Sequence, residues 1–174
     1  MQRVVSVCVL VCLGLCAAAW ARKPEEVFGG RILLSDKPYP TTARSPDAFI
    51  EAVKKQSRDR FQEDKDAKEW RVFFAAFFKQ PMDDLEITIR IYDVTKGERL
   101  VETFEQYLPS RGQRAYLSTL TFKRGDGSSG YDPNSKVHIV MDSRGKVVAD
   151  ATVFLLGEAR KYTGKVDFSE DEKK

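Results

Sequence analysis

Cysteine is scarce in this chain and is confined to its start. Among 174 residues there are three cysteines, Cys8, Cys12 and Cys16. Beyond them the chain can form no disulfide, can use no thiol nucleophile and can offer no cysteine ligand to a metal. The fold must therefore be held by a hydrophobic core, and a chain of this length buries about two thirds of its unfolded surface.

Histidine is scarcer still, since His138 is the only one. A single histidine excludes a metal site with two histidines and leaves one candidate for a Ser-His-Asp arrangement. The Gly-x-Ser-x-Gly elbow that would supply a nucleophile is missing, and so is the phosphate-binding Gly-x-x-x-x-Gly-Lys-Ser/Thr loop. Alternation places His138 on the outward face of a strand. We therefore expect no enzyme and no cofactor.

The chain also lacks an excess of charge of one sign. Its 29 basic and 26 acidic side chains give a net charge of +3. A nucleic-acid-binding protein would show a strongly basic domain or stripe, whereas charges of mixed sign are typical of an ordinary soluble surface. Nucleic acid is therefore not an expected partner.

Only residues 4–19 form a long apolar run. Arg3 precedes this run and Ala19-Trp20-Ala21 ends it, which predicts a cleaved signal peptide over residues 1–21. A transmembrane anchor would need about 20 apolar residues. Lipid anchoring through Cys16 is disfavoured because the bulky Leu15 precedes it. The pattern predicts export to the periplasm or the exterior, with no membrane span after cleavage.

The most regular pattern lies in residues 70–94. Leu85, Ile87, Ile89 and Ile91 alternate with polar residues, which predicts a half-buried strand. The preceding segment, residues 70–78, is rich in Phe and apolar on both faces, as in a strand covered on both sides. We interpret the two as a central β-hairpin, with a helix over the second face of its first strand.

About seven such strands, separated by turns at roughly 8–12-residue spacing, predict a mainly β fold. We expect an antiparallel β-sandwich of immunoglobulin-like architecture, with one domain over residues 22–166. A short amphipathic helix over residues 46–57 follows the first strand, because Ser45-Pro46-Asp47 is a helix start and Phe49, Ile50 and Val53 share a face. The charge pattern of residues 58–69 predicts a helical extension with Phe61 turned to the core, or else a loop. The charged composition of residues 167–174 predicts a disordered tail.

Two loop regions are candidates for binding. Tyrosine and arginine, which are enriched in interfaces and saccharide sites, cluster about one hairpin turn. The predicted surface comprises Tyr107, Arg111, Arg114, Tyr116 and Tyr131. A calcium site is an alternative for the loop over residues 124–135, with oxygen ligands from Asp126, Ser128, Asp132 and Asn134. The EF-hand spacing fails there, so an exposed turn is the simpler interpretation.

Paired acids provide the remaining chemical candidates. Asp83 and Asp84 are adjacent in a predicted turn and are interpreted as solvated. Asp150 lies between Ala149 and Ala151 in an apolar strand, so we expect it to be partly buried and ion-paired, for instance with an arginine. A hydrolase would require Asp150 or His138 to lie in a pocket.

These observations predict an exported, non-enzymatic β-domain that acts as a binding or accessory subunit of a cell-envelope assembly, serving adhesion, motility or transport. Its partner is then another envelope protein. The alternative is a domain that binds a small ligand or a carbohydrate between aromatic loop residues.

Overall fold

In the described part of the chain, eight β-strands form one mixed sheet that curls into a half-barrel. The computed structural model describes residues 22–125 and 130–158. Its elements are α1 (Pro24–Phe28), β1 (Arg31–Ser35), α2 (Pro46–Gln56), β2 (Arg60–Gln62), β3 (Glu69–Met82), β4 (Glu86–Asp93), β5 (Arg99–Tyr107), β6 (Gln113–Lys123), β7 (Ser135–Ser143) and β8 (Lys146–Leu156).

The strand order is β5-β4-β7-β8-β1-β3-β6, and β2 also pairs with β8. Strand β8 runs parallel to β1 and β2, while the other pairs are antiparallel. The mainly β prediction is confirmed, but the purely antiparallel immunoglobulin-like sandwich is wrong. Alternating inward side chains look the same in a sandwich and in a curled sheet, so the sequence pattern did not distinguish the two.

The predicted central hairpin is also wrong. Strand β3 pairs with β1 and β6, whereas β4 pairs with β5 and β7. β3 continues through Pro81 to Met82, and the chain then turns a corner to the opposite part of the sheet. Adjacency in sequence was the basis of the prediction, and it fails because both partners of β3 are distant in the chain while β4 pairs with the following strand, β5, and with the distant β7.

The interior of the half-barrel is filled by side chains from almost every strand. Its largest fully buried residues include Trp70, Phe74, Phe78 and Phe122 from β3 and β6, and Ile87, Ile89 and Ile91 from β4. Leu85, expected on the same face as these isoleucines, is exposed at the corner before β4. The inward alternation of β4 therefore begins at Ile87.

The outer face of β1 and β3 is covered by the two helices, so the prediction that β3 is covered on both sides is confirmed. Ile50 and Val53 of α2 pack with Ala75 and Phe77 of β3. The hydroxyl of Ser45 accepts from the Ala48 backbone N–H at 3.2 Å, as expected of an N-cap. α2 ends at Gln56, one residue earlier than predicted.

Helix α1 was not predicted, since only one helix was expected. Its five residues are too few to show a helical period, and its anchor is Phe28, whose ring lies 5.0 Å from that of Phe77. The following Gly29 allows a close approach, because a Cβ there would lie 2.4 Å from the Glu25 carbonyl oxygen. This accounts for the glycine before β1.

The helical extension expected over residues 58–69 is wrong. Residues 60–62 form β2 beside β8, and Phe61 is buried. The Phe154 N–H donates to Asp59 O at 2.8 Å, and the Glu63 N–H donates to Leu156 O at 3.1 Å. Both alternatives bury Phe61, so its burial does not distinguish them. The strand is favoured because the ladder with β8 provides partners for the backbone of residues 60–62.

Candidate functional site

The five residues of the predicted binding surface do not form one surface. Tyr107, 66% exposed, and Arg111 line a common cleft. Arg114 lies 3.6 Å from a carboxylate oxygen of Glu25 in α1. Tyr116 is half-buried and Tyr131 is buried. The structure therefore brings together Tyr107 and Arg111, and it places the two other tyrosines along a seam between β5 and β6.

This seam is the gap between the two edge strands of the half-barrel. β5 pairs only with β4, and β6 only with β3, within residues 22–125 and 130–158. Side chains bridge the gap instead of backbone ladder bonds. The Tyr116 hydroxyl donates to Gln106 Oε1 at 2.7 Å, and it is the sole hydrogen bond found between β5 and β6 side chains in the described part. Within the described residues, β5 thus retains one edge without a strand partner, and β6 does so up to its last residue, Lys123, whose carbonyl accepts from the Tyr131 N–H at 3.0 Å.

The seam is polar although it faces the core. Glu102, Phe104 and Gln106 of β5 lie in register with Ile91, Ile89 and Ile87 of β4, and so share their inward face. The isoleucines are fully buried, but Glu102 is exposed and Gln106 is half-buried. The inward face of the sheet is therefore polar and accessible to solvent at its β5 edge. This is expected of a half-barrel whose two edge strands are not paired with each other.

Tyr131 closes one end of the seam. Its ring packs edge-on to Phe122 with centroids 5.0 Å apart, and its hydroxyl donates to Glu102 Oε2 at 3.0 Å. Burial raises the pKa of Tyr131 far above the ordinary value of 10, and the Glu102 charge and hydrogen bond add to the rise. Tyr131 is therefore a structural residue rather than an accessible contact.

We expect Tyr131→Phe to change the alkaline stability of the protein. The unfolded state loses the tyrosine proton near pH 10 while the folded state keeps it, so this contribution to stability is present below pH 10 and is lost as the pH rises. Urea denaturation between pH 8 and 11 should show a shallower decline for Tyr131→Phe. Tyr107→Phe, at an exposed site, is the control and should keep the wild-type slope. An unchanged slope in Tyr131→Phe would contradict this role.

The cleft with Tyr107 and Arg111 lies where three connections meet: the β3–β4 corner, the β5–β6 turn and the β7–β8 hairpin. It is open and has a volume of about 620 Å³. Arg90 Nη2 lies 2.8 Å from Asp142 Oδ2, and Asp142 is 3% exposed. Arg144 pairs with Asp84, whose Oδ2 also accepts from the Ser143 hydroxyl at 2.8 Å.

Sequence reasoning missed most of this cleft. Asp84 was interpreted as a solvated turn residue, and neither Arg90 nor Asp142 was among the predicted binding residues. Arg90 contacts Asp142 because β4 pairs with β7. In that register Thr88 lies opposite Asp142, so Arg90 is two residues farther along β4. No local signal announces such a pairing, since the two residues are far apart in the chain.

His138 and Asp150 do meet, on the outer face of the sheet. His138 Nε2 lies 3.2 Å from Asp150 Oδ2, and their side chains are 31% and 52% exposed. The expected partly buried Asp150 with an arginine partner is therefore wrong: the carboxylate is open to water and its partner is the histidine. Asp150 lines a shallow groove beside β1, where only Arg31 registers with β8. His138 and Asp150 therefore form a hydrogen bond on the protein surface. The sequence assigns no nucleophile to act with them.

The calcium alternative falls partly outside the described residues, because Asp126 and Ser128 lie there. Asn134 Oδ1 accepts from the Gly157 N–H at 3.3 Å. Asp132 lines an open groove that also contains Asp93, which is bound to Arg99 at 3.4 Å. Within the described ranges, no group of three or more His, Cys, Asp or Glu side chains is arranged to hold a metal ion.

No protein-family model and no curated protein matches the sequence. Among solved structures, the chain is similar to a β-glucosidase from Listeria innocua in complex with gluconolactone, with a TM-score of 0.35 and 9% identity over 59% of this chain and 15% of that one. It is also similar to a putative β-galactosidase from Bacteroides fragilis, with a TM-score of 0.30 and 20% identity over 52% and 14% of the two chains. The chain spans a small fraction of both enzymes. Likeness at these scores carries no argument about function.

No helix in the described part of the chain is long and apolar enough to cross a membrane.

Proposed function

We propose that the protein is an exported, non-enzymatic binding subunit that takes up an extended segment of a partner protein at the β5–β6 seam. The partner is a component of a cell-envelope assembly serving adhesion, motility or transport. Export is supported by the signal-peptide pattern of residues 1–21. The observation that carries the proposal is the pair of edge strands that face each other without backbone pairing.

Unpaired strand edges favour strand addition. Each carries a row of backbone donors and acceptors, which an extended chain can satisfy by joining the sheet. Monomeric proteins usually protect such edges with charge, proline or a covering element. β5 has nine residues and β6 has eleven, so each is long enough to pair with a strand of ordinary length.

The chemistry of the seam favours a polypeptide partner. Glu102, Gln106 and Tyr116 provide side-chain acceptors and donors along the gap, so an incoming strand meets polar groups as well as backbone. The balance of charge differs between the two strands, since β5 carries Arg99, Glu102 and Glu105 whereas β6 carries only the basic Arg114 and Lys123. This asymmetry gives an incoming segment a preferred direction and register.

Site-directed crosslinking tests the proposal. Because no cysteine lies beyond Cys16, an introduced cysteine is the only thiol in that part of the chain that a reagent can label. The variants Thr103→Cys in β5 and Thr119→Cys in β6 are each labelled with a photoactivated thiol reagent, which then lies on an edge strand. Thr152→Cys, an equally exposed threonine on the central strand β8, is the matched control. In the native envelope we expect one common adduct from positions 103 and 119 and none from 152, because a strand in the seam contacts both edges.

Hydrogen exchange on the isolated complex then distinguishes strand addition from loop contact. Amides of β5 and β6 should gain protection, while those of the central strands β7 and β8 should remain unchanged. A protein that stays monomeric and forms no adduct in its own envelope would contradict the proposal. So would labelling from Thr152→Cys equal to that from the two edge positions.

A further inference from the structure

The Tyr107 cleft is assembled from parts of the chain that are distant in sequence. Asp84 comes from the β3–β4 corner, Arg111 from the β5–β6 turn, and Arg144 from the β7–β8 hairpin. Its volume of about 620 Å³ lies within the range of small-molecule sites, about 300–1,000 Å³. The cleft is separate from the strand edges of the seam, although Tyr107 ends β5.

The charged groups that line the cleft balance. Its three arginines, Arg90, Arg111 and Arg144, face three carboxylates, which belong to Asp84, Glu86 and Asp142. An anion would meet the carboxylates, and a cation would meet the arginines. A neutral ligand that both donates and accepts hydrogen bonds matches this mixture, and hydroxyl groups have that property.

Ion pairing fixes the orientation of these groups before a ligand arrives. Arg90 is held by Asp142 at 2.8 Å, and Asp84 is held by both Arg144 and the Ser143 hydroxyl. Planar groups held in one position lose little conformational entropy on binding. Among the described arginines of the cleft, Arg111 is the one for which no ion pair is found, so its donors remain available to a ligand.

Asp142 lies buried at the base of the cleft. Its Oδ2 is 2.8 Å from Arg90 Nη2, a contact of the length expected between a guanidinium and a carboxylate. The base of the cleft is therefore an ion pair, and Asp142 acts by holding Arg90 in place.

The rim of the cleft presents an apolar surface to solvent. Tyr107 is exposed, as is Leu85 at the corner. An aromatic ring with a polar tip provides a flat apolar platform together with a hydrogen-bonding hydroxyl. Hydroxyl-rich rings have apolar C–H faces and polar edges, which match such a platform beside planar charged groups.

We propose that this cleft binds a neutral saccharide, stacked on Tyr107 and hydrogen-bonded to Arg111 and the ion-paired side chains behind it. The proposal does not depend on strand addition at the seam. It gives the protein a second ligand, of a chemical class different from that of the polypeptide partner.

Calorimetric titration of the full chain tests this site with three neutral probes: maltohexaose, cellohexaose and N-acetylchitohexaose. We expect at least one of them to bind. Tyr107→Ala should weaken that affinity roughly tenfold, because it removes the aromatic platform on which the saccharide ring stacks. Tyr107→Phe should retain most of it. Leu100→Ala is the matched control, because Leu100 is a large exposed residue at the opposite end of β5.

Several outcomes would overturn the assignment. They are the absence of binding by all three saccharides at millimolar concentration, equal affinity in Tyr107→Ala and the wild type, and binding of inorganic sulfate or phosphate in place of the saccharides. Chromatography of the probe after incubation separates this site from the proposed function: hydrolysis would support the saccharide site and would contradict a non-enzymatic role.

Discussion

Replacement of Trp70 by alanine is expected to reduce the free energy of unfolding by about 3–5 kcal/mol, the cost typical of removing a large aromatic side chain from a core. Trp70 is completely buried at the start of β3, in register with Phe122 of β6. Its indole N–H donates to Leu156 O at the end of β8, at 2.8 Å. One side chain thus joins three strands, and its loss leaves a cavity and removes one of the two hydrogen bonds that Leu156 O accepts, the other coming from the Glu63 N–H at 3.1 Å.

Two companion variants separate these contributions. Trp70→Phe keeps an aromatic ring but removes one of the two donors to Leu156 O, and it should cost about 0.5–1.5 kcal/mol for the lost hydrogen bond together with a small packing loss. Tyr107→Ala removes an exposed aromatic side chain and should change stability by less than about 0.5 kcal/mol.

Urea denaturation followed by far-ultraviolet circular dichroism measures all three variants, because Trp70 is the only tryptophan beyond Trp20 and its fluorescence disappears in two of them. A loss below about 1 kcal/mol in Trp70→Ala would show that Trp70 is not part of the cooperative core.

The strands that the sequence predicts best are those with a strict period of two. Val137, Ile139 and Met141 alternate along β7, and all three are fully buried. In β8, Ala149, Val153 and Leu155 are buried, but Val147 is exposed. The register of β7 and β8 shifts between Met141 and Asp142, and a shift of one residue moves a side chain to the other face. Local alternation predicts burial until such an irregularity intervenes.

Strand order could not be predicted in the same way. A period of two identifies a strand and its buried face, but not the partner on either edge. Both partners of β3 are strands distant in the chain, whereas β4 pairs with the next strand, β5, on one edge and with the distant β7 on the other. β2 shows the same limit: three residues with one apolar side chain, Phe61, carry no readable period, and the parallel ladder with β8 determines their conformation.

The polar residues were hardest to place because their environment depends on that strand order. Tyr131 was expected on the surface, since it lies in a loop rich in glycine and aspartate. It is buried because the loop returns beside β6, where the Gly125 N–H donates to Tyr131 O at 2.9 Å and the Tyr131 N–H donates to Lys123 O at 3.0 Å. Tyr107 and Arg111, two residues of the predicted surface, share a cleft because one short turn connects them. Of the five residues of the predicted surface, only Tyr107 and Arg111 could be placed together from their proximity in sequence.

Glu63 belongs to a segment that the sequence predicts to be solvated, yet its side chain is 1% exposed. Two hydrogen bonds from Arg124 Nη1 reach its carboxylate oxygens, at 3.0 and 3.3 Å. The backbone N–H of Arg124 also donates to Lys68 O at 3.0 Å, so the arginine is held where β6 ends. The ion pair therefore joins the end of β2 to the end of β6.

Arg124→Ala is expected to destabilise the protein by about 2–3 kcal/mol, because it leaves a buried carboxylate without its charge partner. Loss of one member of a fully buried pair costs about 3–5 kcal/mol. The Arg124 side chain is 39% exposed, so water can reach part of the vacated space and lower the cost. Urea denaturation at pH 7 measures the effect, and addition of salt should change it little, since a buried charge is weakly screened.

The double variant Glu63→Met with Arg124→Met provides the decisive comparison. Apolar replacement of both partners of a buried ion pair is often neutral or stabilising, so the double variant should be more stable than Arg124→Ala. Lys54→Ala breaks the exposed pair with Glu51 in α2 and should cost less than about 0.5 kcal/mol. If Arg124→Ala proved as mild as Lys54→Ala, the Glu63 carboxylate would have to be hydrated, and this ion pair would not hold the ends of β2 and β6 together.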